Sequence, residues 1–156
     1  MSAALKAFLE SGVSVVVGTR DAYMVPEVTR AWGLLVSRDR KSLSLCVPLA
    51  TSRKTLANLA GNGQMTVCCS LPTSYKTVQL KGRCIATAHP VRADFAVVVK
   101  HREAFCRLNE RIGFPRQRTE TFWRNELATS PVLVKLRFVP EQIFDQTPGP
   151  DAGSPL

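Results

Sequence analysis

The residues with the clearest capacity for chemistry are Thr51, Ser52, Arg53 and Lys54, which stand where an alternating apolar segment, Ser42–Val47, turns into a short helix. Ser52 is of the type that caps a helix start. Leu56 and Leu59 supply one apolar face, and Gly61 followed by Asn62 predicts the end. The first turn of a helix offers N–H groups without intrahelical acceptors and a partial positive charge, to which Arg53 and Lys54 add two full charges. Cations at that end oppose the helix dipole. They are therefore offset by a bound anion, for which a phosphate is the natural candidate, or they are simply solvated.

Two further segments carry side chains that could complete a site around this junction. In Val28-Thr29-Arg30-Ala31-Trp32-Gly33 the strand period puts Arg30 and Trp32 on one face and Thr29, Ala31 and Gly33 on the other. An arginine within a strand needs an anion or exposure, and glycine beside it lets a planar ring approach the backbone. Equally, Arg30 on a solvated face and Trp32 in the core would account for both residues. In Tyr75-Lys76-Thr77-Val78-Gln79-Leu80-Lys81-Gly82, the side chains of Tyr75, Thr77, Gln79 and Lys81 share one face. That face suits hydrogen bonds to a heterocycle, or water on the open side of an antiparallel sheet.

The elements that must position these groups follow from periodicity. An amphipathic N-terminal helix containing Leu5, Phe8 and Leu9 precedes strands at Val13–Thr19, Pro26–Val36 and Ser42–Val47, the last two joined by a charged hairpin turn at 37–41. The phosphate-type junction and its helix come next, then strands at Gln64–Leu71 and Tyr75–Ala88, with Gly82 marking a bulge. Pro90 opens a helix expected to reach Ile112. A second helix is expected at Thr119–Leu127, and a closing strand at Val132–Val139 between Pro131 and Pro140. The order β-β-β-α-β-β, with short turns and a single early helix, predicts a mainly β fold: a small antiparallel split barrel of Greek-key type flanked by helices. Residues 1–146 make the domain, and 147–156, rich in proline and glycine, read as a flexible tail.

Composition narrows the function classes. The chain has 156 residues, 45% hydrophobic and 21% charged, enough for one core. No run approaches the ~18 apolar residues of a membrane span, and a cytoplasmic protein is the expectation. The five cysteines are odd in number and lie mostly in apolar runs, which favours buried free thiols over disulfides or a metal site. The net charge of +9 is spread over several separate segments with few interleaved aromatics, so neither nucleic acid nor a membrane is expected as a partner. His89 and His101 have no serine, cysteine or carboxylate at a recognisable triad spacing and read as exposed or structural.

Taken in order, these neighbourhoods resemble the pyridoxamine 5′-phosphate oxidase-like, FMN-binding split-barrel superfamily. The resemblance covers roughly residues 13–82 and is most specific in SRKTLANLAGNGQMTV, Ser52 to Val67. It implies that Arg53 and Lys54 hold the FMN phosphate, with Ser52 among the cofactor-binding residues. It lays Thr29, Arg30, Ala31 and Trp32 along the ribityl chain and flavin ring, and presents Thr77 or Gln79 to the phosphate or flavin side. It further implies a homodimer whose partner chain adds an aromatic, for which Trp123 is the candidate, and a flavin-dependent oxidoreductase acting with a small-molecule electron donor or acceptor. The arginine-rich closing strand of the true vitamin B6 phosphate oxidases is missing: VLVKLRFVPEQIF offers only Lys135 and Arg137. A non-catalytic flavin carrier or sensor is the second reading. A haem protein with His89 or His101 as axial ligand belongs to the same alternative.

Overall fold

The computed structural model describes residues 1–129 and 132–156, the side chains of 125–129 excepted. Six strands close a barrel: β1 (Ser14–Arg20), β2 (Pro26–Val36), β3 (Leu43–Pro48), β4 (Gln64–Ser70), β5 (Thr77–Ala88) and β6 (Leu133–Asp145), in the spatial order β1-β2-β3-β6-β5-β4. Every pairing is antiparallel. After β3 the chain crosses over and returns as β4 beside β1, the Greek-key connection expected from the strand order. The flanking helices are α1 (Ala3–Leu9), α2 (Arg53–Asn62), α3 (Arg92–Glu110) and α4 (Arg116–Thr129).

Alternation along the strands decides what lies inside. In β1, Val15 and Val17 are buried while Ser14, Val16 and Gly18 between them are half-buried. With Leu45, Val67, Leu80 and Leu136 they fill the barrel. At about 1.5–3 kcal/mol for each large apolar side chain removed from water, this core is the main source of stability. A second, smaller cluster lies outside the barrel, where Trp32 and Cys46 meet Val98 and Phe105 of α3 and Leu133 of β6.

Of the boundaries that differ from the sequence expectation, three have a visible physical cause. Helix α2 runs one residue past Gly61, to Asn62. Its left-handed terminal residue is Gly63, at φ 67°, whose N–H reaches the Leu59 carbonyl at 2.9 Å. Strand β6 does not stop at Pro140 but continues to Asp145. Pro140 lies opposite Gly82, where the β5–β6 register shifts; the bulge accommodates a residue with no N–H to give. Helix α4 begins at Arg116, because that side chain turns back to Glu103 (2.8 Å) and Glu110 (3.1 Å) of α3. The break expected at Pro131 lies outside the described residues. Residues 147–156, read as a flexible tail, return along β6: Gly153 donates to the Asp145 carbonyl (2.6 Å) and Leu156 to that of Ile143 (2.9 Å).

Candidate phosphate site at the start of α2

The junction at Ser52 departs from an ordinary capped helix. Ser52 occupies the N-cap position, but its hydroxyl does not bond the first turn. It is fully buried and contacts the Thr29 hydroxyl of β2 at 2.9 Å, which ties the helix start to the barrel wall. Among the described residues nothing accepts from the N–H groups of Arg53, Lys54 or Thr55, and the first turn contains no acidic side chain. Thr55, also fully buried, has a hydroxyl oxygen with no hydrogen-bond partner. Arg53 and Lys54 are exposed and make no ion pair within the described residues. A buried hydroxyl without a partner costs about 1–3 kcal/mol. Open N–H groups, that orphan and two cations in one turn make a site whose unmet demand is for an anionic oxygen acceptor.

The structure distributes the other sequence-derived candidates over distinct places. Thr29 and Ser52 come together at the junction just described. Ala31 lies inside the barrel. Arg30 and Trp32 point outward from β2, as the strand period requires, but into a packed layer rather than open water. Trp32 is 1% exposed and lies edge-on to Trp123 of α4 (5.3 Å) and to Phe105 (5.7 Å) and His101 (5.9 Å) of α3. The Arg30 guanidinium sits over Phe122 at 5.2 Å and donates to the Ser14 hydroxyl at 3.1 Å, while Arg102 lies over Trp32 at 5.0 Å and Trp123 at 5.5 Å. Trp123 therefore packs on its own chain. On β5, Thr77 is held by Ser70 (2.9 Å) at the start of the strand. Gln79 faces a cleft of about 540 Å³ on the outer wall of the barrel, shared with Arg20, Thr66, Lys81 and Arg83.

Thr55 is the residue that sequence reasoning missed. A threonine at the third helical position was legible as polar, but not as buried without a partner, since that depends on what the fold packs around it.

His101 is buried between α3 and the barrel and uses both ring nitrogens. Nδ1 accepts from the Gly33 N–H (3.2 Å), which leaves Nε2 protonated to donate to the Val13 carbonyl (2.9 Å). Burial, opposed in part by the Val13 bond and reinforced by the charges of Arg102 and Arg30, lowers its pKa to about 4. The ring is thus a neutral clamp, and axial ligation of a metal through it would break one of these two bonds. His89 is exposed beyond the end of β5.

No family model matches this chain, and no curated protein matches it either. Solved structures do share its fold. An F420 reductase aligns over 88% of this chain and 94% of its own with a TM-score of 0.57 and 13% identity. An FMN-binding protein from Syntrophomonas wolfei aligns over 90% and 82% with a TM-score of 0.53 and 15% identity. A Lactobacillus delbrueckii protein provisionally assigned as a pyridoxamine 5′-phosphate oxidase aligns over 92% and 93% with a TM-score of 0.55 and 13% identity. This chain, a six-stranded antiparallel barrel with flanking helices, has the fold that these solved structures share.

Proposed function

We propose that this protein binds FMN, with the phosphate at the start of α2, and acts as a flavin-dependent oxidoreductase. The observation that carries the reading is the unsatisfied first turn of α2: open N–H groups, the orphaned Thr55 hydroxyl, and Arg53 and Lys54 beside them. Arg53 and Lys54 supply charge-assisted bonds to phosphate oxygens, and Thr55 a neutral one, while the Ser52–Thr29 contact holds the turn in place. Bound flavin would supply the redox chemistry, so no acid or base need come from the chain. Its residues bind and orient the group and limit the access of water.

The same reading sets limits on the substrate. Lys135 is committed to Asp94 at 2.6 Å and Arg137 is a lone exposed arginine on β6, so the closing strand lacks a second phosphate clamp for a vitamin B6 phosphate. A small-molecule electron donor or acceptor of another kind fits better. A carrier without turnover is the second reading, since nothing in the phosphate site requires catalysis.

The absorbance spectrum of freshly purified protein, or of protein reconstituted with FMN, tests the reading. Two flavin bands, in the near-ultraviolet and the blue, are expected, and they should persist on anaerobic addition of pyridoxine 5′-phosphate. A single intense Soret band, or colourless protein that takes up no FMN, would overturn the cofactor. Bleaching by the B6 phosphate would overturn the limit on substrate.

A further inference from the structure

Where β5 begins and β6 finishes, the barrel carries a cleft that the phosphate site does not use. Its volume is about 550 Å³, within the ~300–1,000 Å³ common for small-molecule sites. None of the described residues lining it belongs to α2. Leu5 and Phe8 of α1 form one side, and Val78 and Ile143, from the paired strands β5 and β6, line another. Val78 is buried, while Leu5, Phe8 and Ile143 are half-buried against the barrel core. The chain that returns along β6 adds Leu156, whose N–H donates to the Ile143 carbonyl at 2.9 Å.

Two charges border this apolar space, Lys76 and Asp145. The Lys76 ammonium lies 5.3 Å from the centre of the Phe8 ring. Asp145 is fixed through its backbone, where its N–H donates to the Ser154 carbonyl (2.9 Å) and its carbonyl accepts from the Gly153 N–H (2.6 Å). Its Oδ1 accepts from the Thr147 N–H at 2.7 Å. The bonds from Thr147, aided by the charge of Lys76, hold the carboxyl below the usual carboxylate range, so it is anionic at neutral pH. Yet neither Lys76 nor Asp145 forms an ion pair among the described residues. An amphiphile with a single charge would be attracted by one of them and repelled by the other. An ammonium and a carboxylate on one carbon, with an apolar group attached, match both charges and the apolar wall together.

We propose that this cleft binds a free α-amino acid with a large apolar side chain, its carboxylate on Lys76, its ammonium on Asp145 and its side chain among Leu5, Phe8, Val78 and Ile143. The site stands with or without a flavin, so its failure and that of the FMN reading appear in separate experiments.

Calorimetric titration of the full chain with L-phenylalanine, without added flavin, tests it. Saturable binding is expected. Phenylpropionate, which lacks the ammonium, and phenylethylamine, which lacks the carboxylate, should each bind about five-fold more weakly or worse, the scale of one solvent-exposed charge pair. Asp145→Asn keeps an acceptor for the Thr147 N–H, and Lys76→Met keeps an apolar stem beside Phe8. Each variant should melt as wild type does and lose about five-fold or more in phenylalanine affinity. Their preferences should also diverge, with Lys76→Met favouring phenylethylamine over phenylpropionate and Asp145→Asn the reverse. No saturable uptake of phenylalanine at millimolar concentration, phenylpropionate or phenylethylamine bound as tightly as phenylalanine, or variants that keep wild-type affinity would each overturn the proposal.

Discussion

His101 shows how much one side chain can do without touching a cofactor. It clamps α3 to β2 and to Val13 just before β1, 4% exposed and neutral, with its pKa lowered to about 4 from an ordinary 6.5. Lowering a base in the folded state means that the unfolded chain binds its proton first. Its contribution is therefore complete above pH 6.5, falls as pH drops from 6.5 towards 4, and changes no further below that. The full effect is on the order of 3 kcal/mol. Urea unfolding should show wild type less stable at pH 5 than at pH 7.5. His101→Ala should be less stable at pH 7.5, because the Gly33 N–H and Val13 carbonyl lose their partner, and should show a smaller acid loss. An equal acid loss in both proteins would contradict this account. At the same scale, the start of α2 at Arg53 was available from residue order, because a helix start after a strand is a local pattern. The burial of Trp32 beneath α3 and α4 was not, since strand period tells only which side chains share a face, not what covers them.

At the scale of elements, local pattern placed β2 at its observed bounds, Pro26–Val36, and located the bulge at Gly82. It failed where a neighbour decides the boundary. Pro140 ends a strand in isolation but is carried within β6 by the register shift opposite Gly82, and α4 gains its first turn from Arg116 bonding α3. The Ser52 cap was a reasonable expectation from residue type, yet Thr29, distant in sequence, takes the hydroxyl. The seat of α3 on β2 is equally non-local. Gly33 adopts φ 66°, and a Cβ there would lie 2.6 Å from Val98 Cγ2 and 3.0 Å from its backbone nitrogen. Gly33→Ala thus combines left-handed strain with overpacking against a helix backbone, and about 2–4 kcal/mol of lost stability is expected. The adjacent Leu34→Ile, which changes shape without adding volume, should cost less than half as much. Denaturant midpoints for the two variants measure this, and a Gly33→Ala protein as stable as wild type would show that α3 is not seated as described.

For the molecule as a whole, closure of six strands seats α2 against β1, β2 and β4, and the Ser52–Thr29 contact fixes its start on β2. The net charge of +9 was legible as scattered rather than as a stripe; the pair Arg53 and Lys54 became more informative once the fold left the Thr55 hydroxyl of the same helical turn without a partner among the described residues. The central claim is phosphate recognition at that place. It is tested most directly by titrating FMN and riboflavin, which differ by the phosphate alone, into wild type and the Arg53→Ala/Lys54→Ala protein. Two charge-assisted bonds at about 1.5–3 kcal/mol each predict that wild type binds FMN far more tightly than riboflavin, and that the double variant loses about 100-fold or more in FMN affinity while its riboflavin affinity stays nearly constant. Equal losses for the two ligands, or a wild type that binds FMN no more tightly than riboflavin, would contradict the account.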